Sequence, residues 1–289
     1  TQPKCIFIQD EIIRNGKAHP LFEKIAAQQG LPAVLLRASG SRDIQLRNED
    51  IEWDDFLSAD NVLNCVPCSP DGETTIIFSS GTTGKPKAIP WDHTTPIKCA
   101  SDAYFHQDVH VSDILCWPTN LGWMMGPWLV YAGLINKATI ALSTAIPTGR
   151  RFCEFVERAG VTILGLVPSI VSEWRKHDHP ADLDWTSLRL FSSTGECSNP
   201  NDMLWLMSRA GYRPIIEYCG GTELGGGYIG GALTKAAAPG LFSAKIMGVS
   251  WLLMNDEFQL SSLGEVFLEP PAIGMSTRLL HRDHHEVYY

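Results

Sequence analysis

The chain of 289 residues sets 23 Lys and Arg against 32 Asp and Glu, a formal net charge of −9, which excludes a protein that grips nucleic acid through its phosphates. Hydrophobic residues at 44% and charged residues at 19% exclude a disordered chain and give core enough for one large or two ordinary domains. Eight cysteines at irregular spacing do not make a disulfide scaffold and favour a reducing, intracellular compartment.

Residues 1–10 mix polar and apolar side chains without a basic leader and are not expected to act as a secretory signal. A strand is expected over 5–8, a helix over 21–29 and a second strand over 33–36, followed by a polar, Pro-containing connector at 61–73. Short apolar runs then recur at 75–78, 114–117, 139–142, 161–167, 188–191 and 214–218. Runs without polar alternation suit strands covered on both faces. Residues 114–136 carry no charge, but Pro118, Thr119, Asn120 and Pro127 interrupt them, so a strand, a loop and a buried helix are expected rather than a membrane span. The stretch 150–159 places Phe152, Phe155, Val156 and Ala159 on one helical stripe, with Gly160 as a stop. Another helix is expected over 201–210, with Pro200 before it and Gly211 after it. From about Leu241 short strands take over, 264–268 being the clearest. The alternation predicts an α/β fold of layered, largely parallel sheets with helices, ending in a smaller β-rich piece.

The chemistry concentrates in Ser79-Ser80-Gly81-Thr82-Thr83-Gly84-Lys85-Pro86-Lys87, directly after the strand at 75–78. Glycines let the backbone turn and present N–H groups to an anion, hydroxyls add donors, and lysines add charge. It is not a Walker A loop, because only Thr82 and Thr83 separate Gly81 from Gly84 and Pro86 obstructs a following helix.

In this loop the chain resembles the adenylate-forming (ANL) superfamily, which includes acyl-CoA synthetases, luciferases and peptide-synthetase adenylation domains. It is most similar to acetyl-CoA-synthetase-like acyl-activating enzymes. Leu121-Gly122-Trp123-Met124-Met125-Gly126 resembles their Gly-Trp segment beside the acyl pocket, and Val167-Pro168-Ser169 a later strand-to-helix turn. Ser193-Thr194-Gly195-Glu196 resembles the turn along the adenine, with Cys197 in place of a proline. Tyr218-Cys219-Gly220-Gly221-Thr222-Glu223 resembles the motif whose Thr-Glu pair meets phosphate and magnesium.

The resemblance implies part of that family's large N-terminal domain. Residues 1–72 would be a fragment of a preceding α/β subdomain plus connector, 73–235 the nucleotide- and acyl-binding core, and 236–289 the start of a β-rich subdomain. The implied reaction uses ATP, Mg²⁺ and CoA to convert a small-molecule carboxylic acid, fatty or of medium size, to an acyl-adenylate and then an acyl-CoA. Ser79, Ser80, Gly81, Thr82, Thr83, Gly84 and Lys85 would hold the terminal phosphates. Gly195, Glu196, Cys197, Glu217, Tyr218, Cys219, Gly220 and Gly221 would line the rest of the nucleotide. Thr222, Glu223 and Lys87 would be catalytic, with Glu223 the metal ligand. Trp123, Met124, Met125, Thr194 and Gly220 would wall the acyl pocket, and Gly220, standing where acetate-specific relatives carry Trp, would open it to a longer chain. Residues 281–289 precede anything resembling the family's hinge, so a partial chain, inactive without a C-terminal domain, is expected. A non-catalytic nucleotide-binding remnant and a module loading a carrier protein remain as alternatives. The location expected is cytoplasmic or peroxisomal.

Three other patterns carry less. Gly225 to Gly230 matches a dinucleotide fingerprint but opens no helical pattern, Cys65-Val66-Pro67-Cys68 has no second pair, and His281, His284 and His285 lie on a polar stretch.

Overall fold

The computed structural model describes residues 2–14, 17–26, 30–38, 44–60, 62–79 and 86–288. The chain divides into two compact units, 1–67 and 68–289.

The first unit contains β1 (Ile6–Gln9), β2 (Glu11–Arg14), β3 (Lys17–Pro20), α1 (Phe22–Ala26), β4 (Ala33–Leu36), β5 (Ile51–Glu52) and α2 (Trp53–Phe56). Strands β1, β4 and β5 form a parallel sheet, and β2 pairs with β3 as an antiparallel hairpin. Phe22, Ala33 and Leu35 form its buried centre. The expected helix over 21–29 is described to Ala26, and its last three residues lie outside the described set.

Asp50 braces this sheet. Its Oδ1 accepts the Ala33 backbone N–H at 2.8 Å, and the Arg47 guanidinium reaches Oδ1 at 2.7 Å and Oδ2 at 2.8 Å. The Arg47 side chain, with the backbone N–H groups of Ala33 and Arg47, holds the carboxyl at about 2, below the ordinary carboxylate range. A depressed folded-state pKa contributes stability that is complete above about pH 4 and is lost as pH falls toward 2. The protection factor of the Ala33 amide against hydrogen exchange is therefore expected to fall across that window, and Asp50→Asn should abolish the dependence. An equally steep fall in the variant would assign it elsewhere.

The second unit begins with the antiparallel hairpin of β6 (Thr75–Ser79) and β7 (Lys87–Trp91), which brackets the Gly-Lys loop. There follow α3 (Thr94–Phe105), β8 (Ile114–Cys116), α4 (Met125–Ile135), β9 (Thr139–Ile140), α5 (Arg150–Arg158), β10 (Ile163–Leu166) and α6 (Pro168–His177). Then come β11 (Leu190–Ser193), α7 (Pro200–Ser208), β12 (Ile215–Gly221), β13 (Gly226–Gly230), β14 (Ala244–Lys245), β15 (Ser250–Met254), β16 (Glu265–Glu269) and α8 (His284–Tyr288). A seven-stranded sheet runs β14-β13-β12-β11-β10-β8-β9. Strands β8 to β12 are parallel, and β13 and β14 antiparallel.

Both faces of this sheet are covered, which is why its strands read as apolar runs. On β10, Ile163 packs into one core cluster with residues of α3 and α4, while Leu164 and Leu166 pack into the other with residues of α5, α6 and α7. Helix α7 begins where Asn199 accepts the Asn201 N–H at 2.9 Å and Pro200 occupies the first turn. The uncharged stretch 114–136 is β8, a loop and α4, and no helix among the described residues is long and apolar enough to cross a membrane. The glycine run at 226–230 is the strand β13, not a loop opening a helix.

Candidate active site

The parallel strands place the motif turns side by side at their carboxyl ends, where open α/β sheets bind ligands. After β11, Gly195 holds a φ of +88°, a backbone that favours glycine. That turn presents Glu196, whose carboxylate accepts the Ser169 N–H at 2.9 Å and the Ser169 hydroxyl at 3.0 Å. The turns at 167–169 and 193–196, far apart in sequence, are thereby joined. Glu217 on β12 is buried and both its oxygens are used internally, Oε2 accepting the Ser198 hydroxyl at 2.7 Å and Oε1 the Gly240 N–H at 2.9 Å. Cys197 is an exposed thiol, and Cys219 donates through Sγ to the Tyr228 hydroxyl at 3.2 Å.

Thr222 and Glu223 form the turn between β12 and β13. The Trp91 indole N–H donates to the Thr222 carbonyl at 2.7 Å, and the Ser276 N–H to the Glu223 carbonyl at 2.6 Å. Lys87, at the start of β7, donates from Nζ to Glu223 Oε1 at 3.2 Å. The Tyr288 hydroxyl donates to the same oxygen at 2.7 Å, and the Lys87 ammonium lies 4.5 Å from the centre of the Tyr288 ring. Burial pushes the Glu223 carboxyl up, but the Tyr288 hydroxyl, its own backbone N–H and Lys87 outweigh it, so the carboxyl sits below its ordinary range. It is an anion at neutral pH. Opposite Lys87 in the hairpin register stands Ser79, whose buried hydroxyl has no hydrogen-bond partner among the described residues. Ser80, Gly81, Thr82, Thr83, Gly84 and Lys85 lie outside the described residues.

This arrangement suits one magnesium ion held with a phosphate. Mg²⁺ takes hard oxygen, keeps several waters and is commonly bound by one or two carboxylates plus substrate phosphates. Glu223 offers such an oxygen in Oε2, to which no side chain among the described residues donates a hydrogen bond. The neighbouring Lys87 ammonium is a donor suited to phosphate oxygens.

Behind the turn, α3 grips β12 and β13. Asp102 is fully buried; its Oδ2 accepts the Tyr218 hydroxyl at 2.6 Å and the Gly227 N–H at 2.9 Å, and its Oδ1 accepts Lys98 Nζ at 2.7 Å. Lys98 also donates to the Met247 carbonyl at 3.1 Å. Burial pushes the Asp102 carboxyl up and the Lys98 ammonium down, each partly offset by the other. The Trp128 indole donates to the Tyr218 hydroxyl at 3.1 Å, so the Tyr218 side chain belongs to this core network. Lys98 and Asp102 are not legible as an amphipathic helix because the buried face of α3 is itself polar; the one signal is their i, i+4 spacing.

Of the expected acyl-pocket residues, Met125 and Thr194 are buried, Met124 packs against the core and Trp123 is 71% exposed. Gly220 departs from its expected role. A bulge falls between Cys219 and Gly220, and a Cβ on Gly220 would lie 2.0 Å from the Gly226 carbonyl oxygen. Glycine is required there by close backbone approach, and its missing side chain opens no volume. Gly220→Trp is accordingly expected to disrupt the β12–β13 pairing and lower the melting temperature. A variant with unchanged melting would show that the bulge can be rebuilt.

The sequence profile of AMP-binding enzymes matches residues 1–272. The chain belongs to the AMP-binding enzyme family. It is 44% identical over 300 residues to hexanoyl-CoA synthase of Cannabis sativa, covering 100% of this chain and 42% of that protein. It is 43% identical over 300 residues, with the same coverage, to a protein of Arabidopsis thaliana named "Probable acyl-activating enzyme 17, peroxisomal". The acetoacetyl-CoA synthetase structure from Streptomyces lividans superposes with a TM-score of 0.84 at 24% identity, over 97% of this chain and 45% of that one, which shows the shared fold. Members of the family akin to this chain are acyl-activating enzymes and CoA synthetases, as the motifs implied. The chain spans less than half the length of these curated relatives.

Proposed function

We propose that this chain is the nucleotide- and acid-binding part of a ligase that activates a carboxylic acid with Mg·ATP and passes the acyl group to CoA. The observation that carries the reading is the anionic Glu223, held by Lys87 and Tyr288 at the end of β12. A carboxylate oxygen of the acid attacks the α-phosphorus of ATP, the bond to pyrophosphate breaks, and an acyl-adenylate results. CoA sulfur then attacks the acyl carbon and releases AMP. Magnesium, when bound, neutralises phosphate charge.

The protein's own part is mostly orientation and charge. Thr222 donates toward the α-phosphate, Lys87 neutralises negative charge beside it, and the 79–85 loop holds the terminal phosphates. The 195–197 turn runs along the adenine. Trp123, Met124, Met125 and Thr194 receive the acyl chain, methionine fitting an irregular apolar pocket. A medium-length fatty acid is the substrate class, a choice supported by the similarity to a hexanoyl-CoA synthase. A peroxisomal location is supported by the names of two Arabidopsis thaliana relatives.

Incubating the natural protein with ATP, Mg²⁺, CoA and straight-chain acids from acetate to dodecanoate, followed by mass spectrometry, tests this. Acyl-adenylate and acyl-CoA are expected, most from acids of intermediate length. Bound ATP without adenylate from any acid would identify a nucleotide-binding remnant, and adenylate that CoA never discharges would point to a carrier-protein acceptor.

A further inference from the structure

We propose that Tyr288 is a positioning residue for Glu223, fixing Oε1 so that Oε2 faces the magnesium ion. The inference rests on the reading of Glu223 as the metal ligand and goes beyond it, because Tyr288 belongs to no motif of the sequence.

A glutamate carboxylate turns readily about its last bond, and its two oxygens are chemically equivalent. At Glu223 the equivalence is broken. Both side-chain donors, the Lys87 ammonium at 3.2 Å and the Tyr288 hydroxyl at 2.7 Å, meet at Oε1. The two donors also hold each other, since the ammonium lies over the phenol ring.

Tyr288 is itself fixed to the backbone that carries Glu223. Ser276 donates its N–H to the Glu223 carbonyl at 2.6 Å, and its own carbonyl accepts His284 Nε2 at 3.2 Å. The His284 and Tyr288 rings pack with centres 4.8 Å apart. The circuit Glu223–Ser276–His284–Tyr288–Glu223 thus closes on the carboxylate. Nearby, the Leu280 N–H donates to the Ala88 carbonyl at 3.0 Å, pinning the approach to α8 against the residue after Lys87. A hydrogen-bond donor on a metal-binding carboxylate sets its orientation, and losing such an outer partner commonly costs about 10–100-fold in metal affinity.

The test titrates Mg²⁺ into the protein with ATP by calorimetry, for the unaltered protein and for Tyr288→Phe, Tyr288→Leu and Glu223→Gln. Tyr288→Phe keeps the ring under Lys87 and removes only the hydroxyl. It is expected to raise the Mg²⁺ concentration for half-saturation about tenfold while leaving metal-free ATP binding unchanged. Tyr288→Leu should shift it at least as far. A purely structural role would instead lower melting temperature and weaken ATP equally with and without metal. If Glu223→Gln shifts the Mg²⁺ requirement and Tyr288→Phe does not, the role of Tyr288 is overturned and the site reading stands. If Glu223→Gln leaves it unshifted, or ATP binding is independent of Mg²⁺ throughout, both are overturned.

Discussion

Replacing Asp102 by Ala is expected to destabilise the second unit by about 3–5 kcal/mol, because it removes one partner of a fully buried ion pair. Three donors lose their acceptor at once: Lys98 Nζ, the Tyr218 hydroxyl and the Gly227 N–H. Among the described residues the ammonium keeps the Met247 carbonyl alone. Removing both charges together, as Lys98→Met with Asp102→Leu, should cost much less than Asp102→Ala alone, since no uncompensated charge is left inside. Urea unfolding of the two variants measures the difference. Equal loss in both would mean that the orphaned Tyr218 hydroxyl and Gly227 N–H, not the uncompensated ammonium, carry the cost.

Glu223→Gln is expected to lower kcat/KM for Mg·ATP by at least about 100-fold, since a direct ligand should matter no less than the outer partners that orient it. The fold should survive. Glutamine has nearly the same volume and its amide oxygen can still accept the Tyr288 hydroxyl, while the ion pair with Lys87, whose side chain is 15% exposed against 34% for Glu223, loses its charge. Kinetics at saturating acid, together with the melting temperature, separate the two effects. Full activity in a variant with unaltered melting would remove Glu223 from the metal site.

The sheet was legible because its strands are apolar on both faces. At Leu115 and Cys116, and again at Ile215 and Ile216, neighbouring residues enter opposite core clusters, so β8 and the start of β12 up to Glu217 read as apolar runs. The turn at 193–196 and the end of β12 with its following turn at 222–223 coincide with the motif residues. Helix α3 was hidden, because Thr95, Lys98 and Asp102 occupy its buried face and blur the 3.6-residue pattern. Tyr288 was hidden for another reason. It meets Glu223 across 65 positions, and no local periodicity encodes such a contact. At Gly220 the missing side chain was read as free volume, whereas the bulge beside it brings the Gly226 carbonyl into that space.

The central claim is that the turn after β12, with Lys87 and Glu223, is the place where Mg·ATP binds. A crystal structure of the natural protein with magnesium and a non-hydrolysable ATP analogue tests it most directly. A metal coordinated by an oxygen of Glu223 is expected, with Lys87 within hydrogen-bond reach of the phosphates. A nucleotide bound elsewhere at saturation, with no oxygen of Glu223 in the metal's coordination sphere, would contradict it.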